Sequence, residues 1–392
     1  MTTGTPFLRP HGLADARVTN EELFFDLIYA FAVTQLSHRL AADIAWGNAL
    51  ETLVLWGAVW LGWQYTAWVT NWCNPELFSM RCMLFALMAV GLLVAAAIPQ
   101  AFGARGLVFA LGYAAFQVGR TLFVLWHLGR SNPLTPNFTR ILGWLIISAI
   151  LWIGGGLAGQ PLRLPLWVAA VTCEYVAPML GFRLPGLGRS RTTDWTIHGG
   201  HLAERCQLFV IMALGESVLV TGASASQNAH WDAPTLIALL VAVVTNISLW
   251  WIYFARSSGQ GRQVLEQAAD PGRLGAYFHY VHVALVAGII VVAVANELVI
   301  EKPDARIDPP AIAVLAGGPL LYLFGSMLLK QTVYGRVPLS QVLGMVVLIM
   351  AVPLAFLTDR LMVAGAVALT LGGIAALEGR GGLYTVDQTV PT

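Results

Sequence analysis

Charged residues are scarce in this sequence. They make up 11% of the 392 residues, whereas hydrophobic residues make up 57%. A soluble domain usually carries about 25% charged residues, because it presents a polar surface to water. The composition therefore excludes an ordinary soluble domain and predicts a chain whose solvent is the lipid bilayer. The net charge of +1 gives no reason to expect a nucleic-acid partner.

Cysteine is also rare, and no two of the 4 cysteines have the spacing of metal ligands or of a redox motif. No phosphate-binding motif and no Asp-rich motif of prenyl-diphosphate chemistry is present, and no nucleophile motif stands out. We therefore predict no metal site and no cofactor, and assign no catalytic residue. Residues 1–20 are polar and lack the apolar core of a cleavable signal peptide.

Long apolar segments are what the sequence has in abundance. Because a membrane-spanning helix needs about 20 apolar residues, we predict an all-α integral membrane protein with about twelve transmembrane helices. They lie at 22–42, 49–70, 80–98, 106–128, 139–157, 163–181, 203–222, 233–255, 276–299, 310–329, 338–357 and 360–378. The longest polar stretches, 182–202 and 256–275, are predicted loops.

The positive charges of the loops predict the orientation, since cytoplasmic loops carry more Lys and Arg. With the N-terminus inside, most loop Lys and Arg lie on the inner side. Those on the outer side are Arg105, Arg163, Lys302, Arg306 and Arg360. We therefore predict a multi-pass protein of the cell membrane with both tails, 1–20 and 379–392, in the cytoplasm. The loop 182–202 is then cytoplasmic as well.

Three pairs of short segments recur in the same order along the chain, which predicts a tandem duplication. Residues 91–96 resemble 288–293, residues 140–144 resemble 341–345, and residues 63–65 resemble 251–253. The predicted halves are 21–181 and 203–378. Each has about six helices, so both run in the same direction and a pseudo-twofold axis along the membrane normal relates them.

The first predicted helix begins with an acidic pair. Thr19 and Glu22 have the spacing of a capping box, so Glu22 is either a helix cap or a functional carboxylate. Asp26 lies one turn deeper on the same face. It either pairs with Arg81 at the start of the third helix or carries a proton or cation in a cavity, because an unpaired charge in a bilayer is costly.

The seventh predicted helix has the densest polar pattern: His201, Glu204, Arg205 and Glu216. His198, His201 and Glu204 are spaced three apart, which metal ligands could use. An ion-pair region around Glu204 and Arg205 is favoured over a metal site. Glu216 lies about 18 Å beyond Glu204 along the helix, so it needs a partner, a proton or a water-filled cavity.

Further site candidates lie on the first, second and fourth helices. Arg120 interrupts the fourth and is the best counter-ion for Asp26 or Glu204. Gln35 and His38 belong to a polar cluster at the outer end of the first helix, which indicates a wet cavity or interhelical hydrogen bonds. Three tryptophans at helical spacing form either a packed face or a cavity wall: Trp56, Trp60 and Trp63.

Two longer patterns resemble a known family. Residues 17–27 with 31–38, and residues 201–205 with 208–217, are similar to the two signatures of the bacterial low-temperature-requirement A (LtrA) family, and residues 68–72 also fit. Cys206-Gln207 departs from the pattern, where a more apolar or glycine-containing pair is expected. The resemblance covers nearly the whole chain and implies a multi-pass bacterial membrane protein. It supplies no reaction.

Three functions remain open at this point. The first is a proton- or ion-coupled transporter of a small molecule, which the helix count, the repeat and the intramembrane acids favour. The second is a membrane-embedded enzyme acting on a lipid or isoprenoid-like substrate, with Asp26, His38, Glu204 and Glu216 as acid–base groups. The third is a structural or stress-adaptation protein. The expected partners are the lipid bilayer and an unknown small molecule or lipid.

Overall fold

The computed structural model describes residues 7–9, 17–195, 197–227, 231–255 and 257–379. Most of the two predicted tails, and residues 228–230 of the loop before the eighth predicted helix, lie outside this range. The described part is helical and contains isolated β-bridges but no named strand. Its α-helices are α1 Asn20–Ala42, α2 Trp46–Trp72, α3 Phe78–Ala97, α4 Gly106–Leu128, α5 Thr135–Ala158, α6 Arg163–Met179, α7 Gly199–Gln227, α8 Ala233–Phe254, α9 Ser257–Glu266, α10 Pro271–Glu301, α11 Pro309–Leu315, α12 Gly317–Tyr334, α13 Leu339–Ala355 and α14 Arg360–Gly379.

Every predicted transmembrane segment is helical, with two differences in detail. The predicted loop 256–275 contains the short helix α9. The tenth predicted helix is divided into α11 and α12 at Ala316. Gly317, Gly318 and Pro319 follow this break, and both residue types disfavour a continuous helix interior.

Within the described residues, 8 helices are long and apolar enough to cross a membrane, counting α11 and α12 as one. The protein is therefore a multi-pass helical membrane protein. The predicted spans that do not qualify are α1 and α2, which carry more polar residues, and α6 and α13, which have only 17 residues each. Twelve spans thus remain a prediction.

The chain divides into two compact units. The first consists of Met1–Phe209 and Arg262–His279, and the second of Val210–Gly261 and Tyr280–Thr392. In the first unit α4 packs on α5, and α5 packs on α6. In the second, α8 packs on α14.

The N-terminus of α1 has the predicted cap. The Thr19 hydroxyl accepts from the Glu22 amide at 3.4 Å, and the Glu22 carboxylate accepts from the Thr19 amide at 3.0 Å. This capping box satisfies backbone donors that the first turn of a helix leaves open. It also fixes Glu22 in the buried interior, where its side chain is fully enclosed.

Glycines bring α10 and α12 of the second unit close together. A Cβ built at Gly288 would lie 2.4 Å from the Tyr322 nitrogen, and one at Gly325 would lie 2.6 Å from the Leu285 nitrogen. No real Cβ atom has room there, so the two backbones touch where side chains would otherwise separate them. Small residues are the usual means of close helix packing in membranes.

Candidate functional site

A buried charge cluster joins α1 to α7 within the first unit. Asp26 Oδ1 accepts from Arg205 Nη2 at 2.7 Å, and Arg205 Nη1 lies 3.2 Å from Glu22 Oε1. Glu22 and Asp26 are one turn apart on α1, as are His201 and Arg205 on α7, so two helix faces meet. The side chains of Glu22, His201 and Arg205 are fully enclosed.

Arg9 adds a second cation to this cluster. Residues 7–9 run beside the end of α2, where the Arg9 amide donates to the Trp72 carbonyl at 2.8 Å. The Arg9 side chain reaches Glu22 Oε2 at 3.2 Å. Burial lowers the pKa of the Arg9 guanidinium and the Glu22 charge opposes that shift; an arginine remains protonated in proteins. Two guanidinium groups therefore face two carboxylates.

His201 is held as a neutral ring by Asn71. The Asn71 oxygen accepts from the His198 amide at 3.0 Å, and the Asn71 nitrogen donates to the His198 carbonyl at 2.9 Å. These two backbone partners fix which end of the amide faces His201, so His201 Nδ1, at 3.0 Å from the amide nitrogen, must accept. The proton then lies on Nε2, which donates to Glu22 Oε1 at 2.8 Å.

Asp26 has one occupied and one unoccupied oxygen. Oδ1 accepts from both Arg205 and Trp63 Nε1, the latter at 2.9 Å. Oδ2 is buried and has no hydrogen-bond partner among the described residues. A carboxylate oxygen in this state can take up a proton, because no donor already points at it.

The pairing differs from the sequence-based expectation in its partners. Arg81 pairs with Glu21 at 2.7 Å, so it is not the partner of Asp26. Arg205 pairs with α1 and not with the neighbouring Glu204, which is half-buried and accepts from the Val18 amide at 3.3 Å. Helix periodicity shows which residues share a face, but it does not show which helix lies opposite.

Arg120 is buried without any carboxylate in ion-pair range among the described residues, contrary to its expected role as counter-ion of Asp26 or Glu204. Its Nη1 donates to the Gly62 carbonyl at 3.3 Å and to Thr66 Oγ1 at 3.0 Å. The guanidinium carbon lies 5.4 Å from the ring centre of Tyr65 and 5.9 Å from that of Phe116. Nε and Nη2 are buried and have no described partner.

The remaining predicted residues do not join the α1–α7 cluster as described. His38 is exposed and Gln35 half-buried, and Glu216 is buried on the part of α7 that belongs to the second unit. The predicted tryptophans of α2 pack in sequence, Trp56 on Trp60 and Trp60 on Trp63, and each of them also packs on Phe209. Trp63 also donates to Asp26.

An aromatic cavity lies on another part of α2, also within the first unit. The enclosed space is about 40 Å³, and the empty volume rises to about 510 Å³ when the space that opens at its mouth is counted. Arg120 lines it, and no acidic side chain does. The other lining residues are Gln64, Tyr65, Trp68, Val69, Trp72, Thr121, Asn137, Phe138, Ile141, Pro178, Phe182, Trp195 and Ala276.

Two buried glutamates were missed by the sequence analysis. In the first unit Glu174 accepts from Tyr113, Gln117, Ser148 and Trp152, at 2.5–3.1 Å. In the second unit Glu378 pairs with Lys330 and accepts from Ser340 and Gln341. Each is the single acidic residue of an apolar helix. Because no second polar residue at helical spacing accompanies it, the sequence pattern does not mark it as part of a site.

The comparisons with known proteins agree with the resemblance noted from the two signatures. The sequence profile of the bacterial low temperature requirement A protein (LtrA) matches residues 17–376. A protein of Rhizobium meliloti (strain 1021), "Uncharacterized protein RA0937", is 36% identical over 342 residues, which are 87% of this chain and 83% of that protein. No solved structure gives a significant match. The chain therefore belongs to the bacterial low temperature requirement A family.

Proposed function

We propose that this protein is a proton-coupled transporter that moves a small molecule across the cell membrane. The observation that carries the proposal is Asp26: one oxygen binds Arg205 and Trp63, and the other is buried with no described partner. Ionisable groups inside membrane helices commonly belong to proton relays or substrate paths. Asp26 is the proposed proton site, and Glu216 is a second candidate.

The coupling step follows from the shared guanidinium. Arg205 bridges Asp26 on α1 and Glu22 one turn earlier. A proton on Asp26 Oδ2 neutralises this carboxylate and weakens its attraction to Arg205, while Glu22 keeps its bonds to Arg9 and His201. Protonation therefore weakens the Arg205–Asp26 contact between α1 and α7 and leaves the contacts of Glu22 in place. A proton-driven rearrangement requires such a selective change.

A proteoliposome experiment tests this function. The purified protein is reconstituted with a pH-sensitive dye in the lumen, and gradients of small organic anions and cations are imposed one at a time. We expect one class of solute to drive proton movement, and Asp26→Asn to abolish it. Glu21→Gln is the matched control on the same helix, because Glu21 belongs to the more exposed pair with Arg81. Proton movement that survives in Asp26→Asn would refute the role of this residue.

The proposed architecture is about twelve spans in two parallel halves of about six helices, with both termini in the cytoplasm. Two observations support the halves. Glu174 lies on the last helix of the first half and accepts from the two preceding helices. Glu378 lies on the last helix of the second half and is likewise bound by groups from the two preceding helices.

A further inference from the structure

Several residues that line the aromatic cavity have unsatisfied hydrogen-bond donors, and none of its described lining residues has an unsatisfied acceptor. The donors without a described partner are Arg120 Nε and Nη2, Trp68 Nε1, Asn137 Nδ2 and Trp195 Nε1. All four residues are more than nine-tenths buried. Since buried polar atoms are nearly always paired in native proteins, a set of donors around one cavity calls for a ligand rich in acceptors.

Charge points in the same direction. Arg120 is the charged residue of the lining, and no Asp or Glu lies there to neutralise it. A buried guanidinium without a counter-ion is costly, so an anion in the cavity stabilises the charge that the described side chains leave unpaired. A neutral ligand would satisfy some donors but would leave Arg120 without an ion-pair partner, since Glu174 acts on it electrostatically but forms no ion pair with it.

The free edge of Arg120 specifies the shape of the anion. Tyr65 and Phe116 lie within cation–π distance of the guanidinium, and Nη1 is already used by Gly62 and Thr66. What remains is the edge formed by Nε and Nη2, whose N–H bonds run parallel. This edge fits the two oxygens of a carboxylate in a bidentate pair.

The walls specify the rest of the ligand. Six of the lining residues are aromatic, and their flat side chains can pack against an apolar or aromatic body while presenting little polar surface. Two of these aromatics, Trp68 and Trp195, also have their indole N–H groups available as donors. A small inorganic anion would leave most of this apolar surface without a partner.

We propose that this cavity binds an aromatic carboxylate, with the carboxylate on the Nε–Nη2 edge of Arg120 and the ring between the tryptophan and phenylalanine side chains. The assignment of this ligand as the transported substrate rests on the proposed transport function. The assignment of the cavity as a binding site does not, because binding can be measured on the detergent-purified full chain without any gradient.

Isothermal titration calorimetry of the purified protein with benzoate and indole-3-acetate tests the site. Acetate, chloride and inorganic phosphate serve as anions without an aromatic body, and benzamide and indole-3-acetamide serve as neutral isosteres. We expect each amide to bind at least about ten-fold more weakly than its acid, because it loses a charge-assisted bidentate pair. Acetate and chloride should also bind more weakly than the aromatic acids, because they do not cover the apolar walls of the cavity.

Variants of the lining test the geometry. Arg120→Lys keeps the charge but lacks the two parallel donors, and should weaken benzoate binding by about ten-fold or more. Trp195→Phe keeps the ring and loses only the N–H, and should weaken binding by a few-fold, roughly the effect of one hydrogen bond. Trp144→Phe is the matched control, since that indole N–H donates to the Arg183 carbonyl and lies outside the lining of this cavity.

The outcomes separate the two proposals. Equal binding of benzoate and benzamide, equal binding of benzoate and acetate, or the absence of heat with both aromatic acids on folded protein overturns the carboxylate site. The ligand comparison uses the native chain, so it holds even if Arg120→Lys fails to fold. Benzoate binding, together with no proton movement driven by any of the solutes tested in proteoliposomes, removes the transport function and leaves the site. Proton-coupled flux of a different solute, without benzoate binding, removes the carboxylate site and leaves the transport function.

Discussion

Removing the guanidinium of Arg205 is the perturbation whose cost the structure defines best. In Arg205→Met, Glu22 still has Arg9 at 3.2 Å and His201 at 2.8 Å, whereas Asp26 keeps only the indole N–H of Trp63. Breaking a buried ion pair by removing one partner costs about 3–5 kcal/mol, because a charge stays buried without compensation. We therefore expect the free energy of unfolding to fall by about that amount at an alkaline pH that keeps Asp26 ionised, because a proton taken up on Oδ2 would otherwise remove the uncompensated charge.

Restoring neutrality should recover most of this loss. In the double variant Arg205→Met with Asp26→Asn, the amide oxygen still accepts from Trp63 and no uncompensated charge remains on Asp26. Because replacing both members of a buried pair is often nearly neutral, we expect the double variant to lie within about 1–2 kcal/mol of the native protein. If these charges have a function, this stable double variant should nevertheless lose proton-coupled activity.

The assay is detergent-induced unfolding followed by intrinsic tryptophan fluorescence, from which a free energy of unfolding is extracted for each variant. The matched control is Arg81→Met, which breaks the Glu21–Arg81 pair, whose arginine side chain is 44% exposed. An exposed pair contributes about 0–1 kcal/mol to stability, so this control should change the free energy of unfolding by no more than that amount. An Arg205→Met protein as stable as Arg81→Met at that alkaline pH would refute the reasoning, since it would show that the ionised Asp26 is compensated by a group other than Arg205.

Four further predictions can be tested in parallel. In a background without the exposed native thiol of Cys82, Arg189→Cys, at an exposed site, should be protected from an impermeant thiol reagent added to intact cells, and Ser226→Cys should be labelled. The reverse pattern would contradict the predicted topology. Gly325→Leu should strongly lower thermal stability, since its Cβ has no room, and an unchanged melting temperature would contradict the close crossing. Glu174→Leu should cost at least about 3 kcal/mol in unfolding measurements because four donors lose their acceptor, and Glu174→Gln should cost less; equal effects would contradict this. Glu216→Gln should insert normally yet reduce proton coupling in proteoliposomes, and full activity would end that role for Glu216.

Apolar runs and capping chemistry were sufficient to predict the long apolar helices and the start of α1, although not the short helix α9 or the break between α11 and α12, because both signals depend on residues that are near one another in sequence. The partner of Asp26 could not be predicted in this way. Arg205 lies 179 positions further along the chain, and many helix arrangements bury both residues equally well. The sequence predicted that intramembrane charges need partners; it could not show which helix supplies each one.

The same limit explains Arg120 and Glu174. Arg120 was predicted to have a carboxylate partner because bilayer energetics demand compensation, yet its described contacts are a carbonyl, a hydroxyl and two aromatic rings. Glu174 is bound by uncharged donors from α4 and α5, which periodicity alone does not bring together. The cavity walls likewise come from segments far apart in sequence, such as α2 and the loop containing Trp195.

The glycine crossing between α10 and α12 has a practical consequence for following motion in this protein. Backbones that touch at Gly288 and Gly325 cannot slide past each other without collision, because no layer of side chains lies between them to adjust. Spectroscopic labels placed on these two helices should therefore report one constant separation under every condition of pH and solute. That pair can serve as an internal ruler, against which changes measured between other helices are recognised as real displacements.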